Sequence, residues 1–338
     1  MRKKIYYTAL CLLGLLSLTK GQLLPNLGGQ RAGISSLQFL KIGVGARGTA
    51  IGESMVAVAN DVSALFWNPA GAVLAEQNGL MVSHSEWLVG LKHDFLGVTY
   101  HLTPADLIGL SMTTLRTDDI PVTTETQPFG TGAYYHYSDL AVGVTFSKKM
   151  TSQFNFGTTI KYVEETLDKV KIKTVLVDLG TYYATGFGSL RIGVAVSNFG
   201  PDVAPAGNAA LLDGTVVNSF QSFSPPTLFK VGVAFEPLQT EQHRITTSVQ
   251  LNHPNDNAEN IRFGIEYEWN HWFFLRAGLK RTIGESWSIG GDQSSADDYS
   301  FGFGIVAPVT ITTLGFDYSY THYNLFDPVH RISCSMTF

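Results

Sequence analysis

The chain has 338 residues with a formal net charge of -5, and its 15% charged residues fall well below the roughly 25% of an average soluble protein. Mean hydropathy is only +0.08, and beyond the first residues no run approaches the roughly 20 apolar residues of a spanning helix, which excludes a polytopic helical protein. The absence of a basic cluster argues against a nucleic-acid partner, and Cys11 and Cys334 are the only cysteines, too few for a disulfide framework.

In chain order, the first residues form an address. Arg2, Lys3 and Lys4 precede a short apolar core from Leu10 to Leu18, and Thr19-Lys20-Gly21 supplies small residues for cleavage before Gln22. Residues 1–21 are therefore expected to be a signal peptide, so that the mature chain is exported and keeps only Cys334.

Residues 22–78 do not alternate. They are rich in Gly and Ala, with Gln38-Phe39-Leu40-Lys41-Ile42-Gly43-Val44-Gly45-Ala46-Arg47 and then Asn60-Asp61-Val62-Ser63-Ala64-Leu65-Phe66-Trp67-Asn68-Pro69-Ala70-Gly71. A surface of such small residues cannot form a core alone. It is expected to pack as a plug inside a larger body, with residues from Leu37 to Ala72 at its periplasmic end. Gly43-x-Gly45-x-x-Gly48 has the spacing of a dinucleotide loop but lacks the preceding strand and following helix, so no nucleotide cofactor is expected.

From Gly79 the period becomes two. Ile261, Phe263, Ile265, Tyr267 and Trp269 alternate with Arg262, Gly264, Glu266 and Glu268, while Ile332, Cys334, Met336 and Phe338 alternate with Arg331, Ser333, Ser335 and Thr337. About fourteen such segments begin near Gly79, Asp94, Leu107, Ser138, Gln153, Val170, Leu190, Thr227, Arg244, Asn260, Trp272, Tyr299, Thr310 and Val329. An even number of strands of this length suits a single-chain bacterial outer-membrane barrel. Connections on one side are short. On the other they include Thr117 to Tyr137, Gly200 to Pro226, Asn252 to Glu259, Arg281 to Asp298 and Thr321 to Pro328, with only Gly90 to His93 brief. A soluble β-sandwich has no reason to sort its loops, and its exposed face should be charged rather than Gly, Ala, Ser and Thr. The expectation is an all-β chain: a closed antiparallel barrel of fourteen strands over residues 79–338, with both termini periplasmic.

Inward positions on these registers are Lys161, Asp178, Arg191, Lys230, Arg262, Glu266, Glu268, Arg276, Lys280 and Asp317. Ionic contacts between plug and wall are expected from Arg47, Glu53 and Asp61 toward Arg191, Arg262, Glu266, Arg276 and Asp317, while Asn60 and Asn68 cap bends. His84, His93, His101 and His136 lack ligand spacing, so no metal is expected, and no nucleophile motif indicates catalysis. Phe338 ends an alternating strand and resembles the terminal signal read by the outer-membrane assembly machinery.

The run from Asn60 to Gly71 resembles the "ND-x-S-A-x-x-W-N-P-A-G" signature of the long-chain fatty-acid channel superfamily of plugged, fourteen-stranded outer-membrane barrels. Gln38 to Arg47, Ser83-His84-Ser85-Glu86-Trp87, His93-Asp94-Phe95-Leu96-Gly97, Asp119-Ile120-Pro121-Val122-Thr123-Thr124 and Ser197-Asn198-Phe199-Gly200-Pro201 resemble the PorV/PorQ branch, known from type IX secretion. The resemblance implies a non-enzymatic outer-membrane protein in contact with membrane lipids. It would be a partner of a type IX translocon barrel or a shuttle for cargo C-terminal domains. The alternative is a channel for hydrophobic molecules. The apolar loops Thr117 to Tyr137 and Gly200 to Pro226 would be interaction surfaces, or would fold over the barrel mouth.

Overall fold

The computed structural model describes residues 33–210, 215–283, 297–309 and 311–338; the expected signal peptide and its cleavage site lie outside them. Fourteen antiparallel strands close into one barrel. They are β1 (Gly79–Glu86), β2 (Lys92–Thr103), β3 (Asp106–Arg116), β4 (Tyr137–Lys149), β5 (Phe154–Leu167), β6 (Val170–Ala184) and β7 (Arg191–Phe199), then β8 (Leu228–Gln239), β9 (His243–Pro254), β10 (Asn260–Trp269), β11 (Phe273–Thr282), β12 (Asp297–Val309), β13 (Thr312–Tyr323) and β14 (Val329–Thr337). Each strand pairs with its sequence neighbours, and closure comes from β1 on β14, in register from Gly79↔Thr337 to Ser85↔Arg331. Closure leaves no unpaired edge, the condition for a sheet in hydrocarbon. Among the described residues no helix is long and apolar enough to cross a membrane.

Alternation sets the two faces. In β4, Val142, Val144 and Phe146 point outward and are exposed, whereas Ala141 and Thr145 are buried. Leu110, Ile160, Leu275 and Phe316 continue the outward apolar surface around the wall. The short turns lie at the end of the barrel where β1 starts and β14 stops, the periplasmic end in barrels of this kind. One of them, at Asn270-His271, has positive φ at both residues (50° and 64°), the geometry that matches strand twist in a tight hairpin.

One outer connection differs from expectation. β5 and β6 are joined on the loop side by Asp168 and Lys169 alone, with Asp168 at φ 53°. These strands have 14 and 15 residues, so the hairpin rises past the barrel rim as strand rather than as loop. Two further outer loops carry small ladders of their own: Ile120–Pro121 on Tyr134–Tyr135, and Ala209–Ala210 on Val216–Val217.

The N-terminal segment runs the length of the lumen. It carries a 3-10 turn at Gln38–Lys41, helix α1 (Ala46–Ala50), helix α2 (Ala64–Trp67) and a second 3-10 turn at Pro69–Leu74. Its first part is at the loop end, not the periplasmic end. Leu37 N donates to Glu165 Oε2 (3.1 Å), Ser36 N to Ser224 O (3.3 Å), and Lys41 pairs with Asp256 (3.0 Å). The segment leaves at the opposite end, where Asn78 accepts from Phe338 N (3.0 Å) through its backbone and from His101 N (2.8 Å) through its side chain. The described chain therefore enters the barrel from its outer mouth, which corrects the expectation that all of Leu37 to Ala72 lies at the periplasmic end; the N-terminus itself lies outside the described residues. Acceptors and donors in the outer loops, more than a hundred residues away in sequence, determine this direction.

Candidate functional site

The lumen is where this chain departs from an empty cylinder, and the Asn60–Gly71 run organises it. Asp61 Oδ1 accepts from Ser63 N (2.8 Å) and Ser63 Oγ (2.5 Å), closing the turn that starts α2. Ala64, Leu65 and Trp67 are buried in the plug core with Val44, Met55 and Val73. Trp67 stands edge-on to Phe66 (4.9 Å between centroids) and covers Gly48, where a Cβ would fall 2.7 Å from Trp67 Nε1. Asn68, fully buried, joins three segments: Oδ1 accepts from Ala70 N (3.1 Å), and Nδ2 donates to Val56 O (2.7 Å) and to Thr181 O of β6 (3.0 Å). Pro69 starts the following 3-10 turn, where a missing N–H costs nothing. A Cβ at Gly71 would overlap Ala59 O.

The wall is cut to fit. A Cβ at Gly180 would overlap Asn68 Oδ1, one at Gly193 would overlap Val56 O, and one at Gly278 would overlap Gly52 N. The inward Gly/Ala/Ser face thus lets plug backbone lie directly against strand backbone. Wall side chains satisfy the plug's backbone groups: Ser333 Oγ accepts from Ala46 N (2.8 Å), Gln250 Oε1 from Val56 N (2.8 Å), and Ser147 Oγ from Val73 N (3.3 Å).

Charges form an alternating chain through plug and wall. Glu266 of β10 accepts from Arg47 Nε and Nη2 (both 2.9 Å) and from Arg276 Nε (2.6 Å). Arg276 Nη1 reaches Asp317 (2.5 Å), and Arg47 Nη1 reaches Asp61 Oδ2 (2.6 Å) and Asn60 Oδ1 (2.8 Å). Arg262 Nη1 pairs with Glu53 Oε2 (2.5 Å). Asp61 differs from expectation: its cation, among the described residues, is Arg47 of the plug rather than a wall residue. Arg191 differs too. Its Nη1 pairs with wall Glu236 (2.7 Å), and its Nε holds the plug through Ala57 O (2.8 Å). Asn60 holds Arg47 instead of capping a bend. Glu268 pairs with Arg244 and with His271 of the adjoining turn, away from the plug.

Sequence reasoning did not single out Gln250, Glu236 or the Lys41–Asp256 pair. Gln250 was open to detection, since Thr246, Ser248, Gln250 and Asn252 form the buried face of β9. Glu236 was not, because the register shifts between Phe235 and Leu238, at Pro237, a residue confined to edges and bulges. Phe338 lies at the barrel's turn end and is 47% exposed. No group of three or more metal-ligating side chains occurs among the described residues.

Two cavities flank the plug and share no lining residue. One, of about 120 Å³, faces the loop end between Lys41, Trp67, Lys161, Lys230 and Arg262. The other, of about 380 Å³, faces the turn end and is lined by Asp61, Thr99, Asp317, Ser333 and Thr337 among others. Above the outer rim, Val203 pairs with Phe223 through both backbone groups (2.8 Å each) and Ala206 with Lys171. The Gly200–Pro226 loop thus folds partly over the mouth; Leu211 and Leu212 lie outside the described residues. The Thr117–Tyr137 arm is tied at its base through Asp118 to Lys92 (2.7 Å), with Phe129 wholly exposed at its tip and Tyr134 65% exposed.

This architecture is that of a plugged fourteen-stranded outer-membrane barrel, and solved structures share it. The toluene transporter TodX of Pseudomonas putida superposes with a TM-score of 0.57 at 14% identity, over 90% of this chain and 98% of that one. The monoaromatic hydrocarbon channel CymD gives 0.57 at 12% identity, over 88% and 98%. A FadL homologue of Pseudomonas aeruginosa gives 0.52 at 12%, over 87% and 98%. At these identities the likeness concerns the fold. A search of curated protein sequences found no match. The family model described as type IX secretion system protein PorV matches residues 27–254, and the chain belongs to that family. Family and fold are those of outer-membrane proteins, and the family is associated with the type IX secretion machinery.

Proposed function

We propose that the protein is a non-enzymatic partner barrel of type IX secretion, made with a cleaved signal peptide and working as a translocon partner or a cargo shuttle rather than as a conduit. Residues 22–78 act as a permanent plug. The observation that carries the reading is the filled lumen. Between residues 36 and 78 the segment is fixed by wall glycines, backbone hydrogen bonds and the Arg47–Glu266 and Glu53–Arg262 pairs, and the loop-end and turn-end cavities on its two sides share no lining residue. A protein that meets its partners from outside needs no path. It needs exposed recognition surface, and the Thr117–Tyr137 arm presents Phe129 and Tyr134 to solvent.

The test is to replace residues 119–135 by a short turn, keeping the Thr117 N to Tyr137 O bond (3.0 Å) that closes the arm. Outer-membrane level, periplasmic cargo and uptake of a hydrophobic substrate are then measured. Cargo accumulating in the periplasm, with normal barrel levels and normal uptake, supports the reading. Normal secretion with reduced uptake replaces it by the channel reading, which rests on fold likeness to TodX and CymD.

A further inference from the structure

We infer that the loop-end cavity is a binding site for a compact oxyanion, a carboxylate or phosphate group entering from the extracellular side. Five cations line this cavity: Lys41 from the plug and Lys161, Lys230, Arg262 and Lys280 from four strands. Among the described residues Glu53 pairs with Arg262, Asp178 with Lys161, and Asp256 with Lys41. Three of these cations are thus matched by a carboxylate, and Lys230 is not.

Lys230 is the centre of the site. It is 4% exposed, its Nζ donates to Trp67 O at 3.0 Å, and among the described residues no carboxylate comes within salt-bridge reach. A buried ammonium with three donor hydrogens and one strong acceptor is costly unless an anion completes its shell. A second, independent sign is Ser197. It lines the same cavity, is 5% exposed, and its Oγ is buried with no hydrogen-bond partner. Ammonium and hydroxyl donors lining the same small cavity suit an oxyanion. Leu228, Pro254 and Asn257 form the rim, and Asn257 is exposed in the outer loop, which gives the entry side. At about 120 Å³ the cavity admits a headgroup and no long hydrocarbon chain.

This inference goes beyond the secretion reading and stands apart from it, because it is tested by binding alone. The purified, detergent-solubilised full chain is titrated with sodium phosphate, and separately with sodium acetate, in a calorimeter at ionic strength held constant with chloride. Saturable one-site binding of either anion is expected, and which one binds identifies the preferred oxyanion. Lys230→Gln should weaken it about tenfold or more, the loss of one charged hydrogen bond. Lys148→Gln, at the turn end beside Asp106, should leave it unchanged. Ser197→Ala keeps every charge, serves if Lys230→Gln fails to fold, and should weaken binding roughly two- to tenfold. No saturable binding of either anion to the wild type, or wild-type affinity in the folded variants, overturns the proposal.

Discussion

Arg47→Met would test how firmly the plug is held. Arg47 is a helical plug residue whose guanidinium, 17% exposed, makes two contacts with Glu266 (both 2.9 Å) and one with Asp61 (2.6 Å). Glu266 keeps Arg276 after the substitution, so its carboxylate is not stranded. The loss there is one bidentate charged contact, about 1.5–3 kcal/mol. Asp61 is 36% exposed, and solvent screens its share down to about 0.5–1 kcal/mol. Together the plug should lose about 2–4 kcal/mol against the seated state, which raises its opening equilibrium roughly 30- to 700-fold. Hydrogen exchange reads this directly. In detergent or nanodiscs, amides of residues 46–58 should exchange faster by that factor, while those of β4–β6 should not change. A double-mutant cycle with Glu266→Gln should return a coupling of the same order. Unchanged protection of residues 46–58 in a folded barrel would refute the view that this ionic chain latches the plug.

Further outcomes follow from the same geometry. Gly278→Val sets a side chain where Gly52 backbone now lies, and should raise single-channel conductance in planar bilayers or reduce the yield of folded barrel; a folded variant with wild-type conductance would count against a tight plug. Asn68→Ala removes the side-chain bonds to Val56 O, Thr181 O and Ala70 N at once, at about 1–3 kcal/mol for each buried group left unsatisfied, and should make the plug sensitive to limited proteolysis while β-sheet circular dichroism is retained. Phe338→Asp should lower outer-membrane levels on quantitative blots of membrane fractions; normal levels would show that this end carries no assembly signal.

The strand pattern was legible because the solvent on one face of this sheet is hydrocarbon. Large apolar residues at every second position, as in Val142, Val144 and Phe146, declare themselves without any tertiary information, and each expected strand start lies within two residues of the observed one. The two-residue connection at Asp168-Lys169 escaped notice for the same reason in reverse: where β5 and β6 leave the membrane, Glu164, Glu165, Lys171 and Lys173 carry on the strand in polar residues, and nothing in composition marks the rim. The inward position of Arg191 was readable from period two. Its carboxylate was not, because Glu236 sits in an irregular stretch where counting by two fails. The path of the plug was the least legible feature. A Gly/Ala-rich segment has no period, and its direction depends on Glu165, Ser224 and Asp256, each supplied by a distant part of the chain.

On the proposed function this barrel serves secretion through its surfaces while its lumen stays closed. The most direct test is gentle purification from the native outer membrane, followed by identification of every co-purifying protein and small molecule. Secretion-system or cargo polypeptides in stoichiometric amount and a lumen free of hydrocarbon ligands are expected. A barrel that purifies alone, carrying a bound hydrophobic molecule inside, would contradict the proposal.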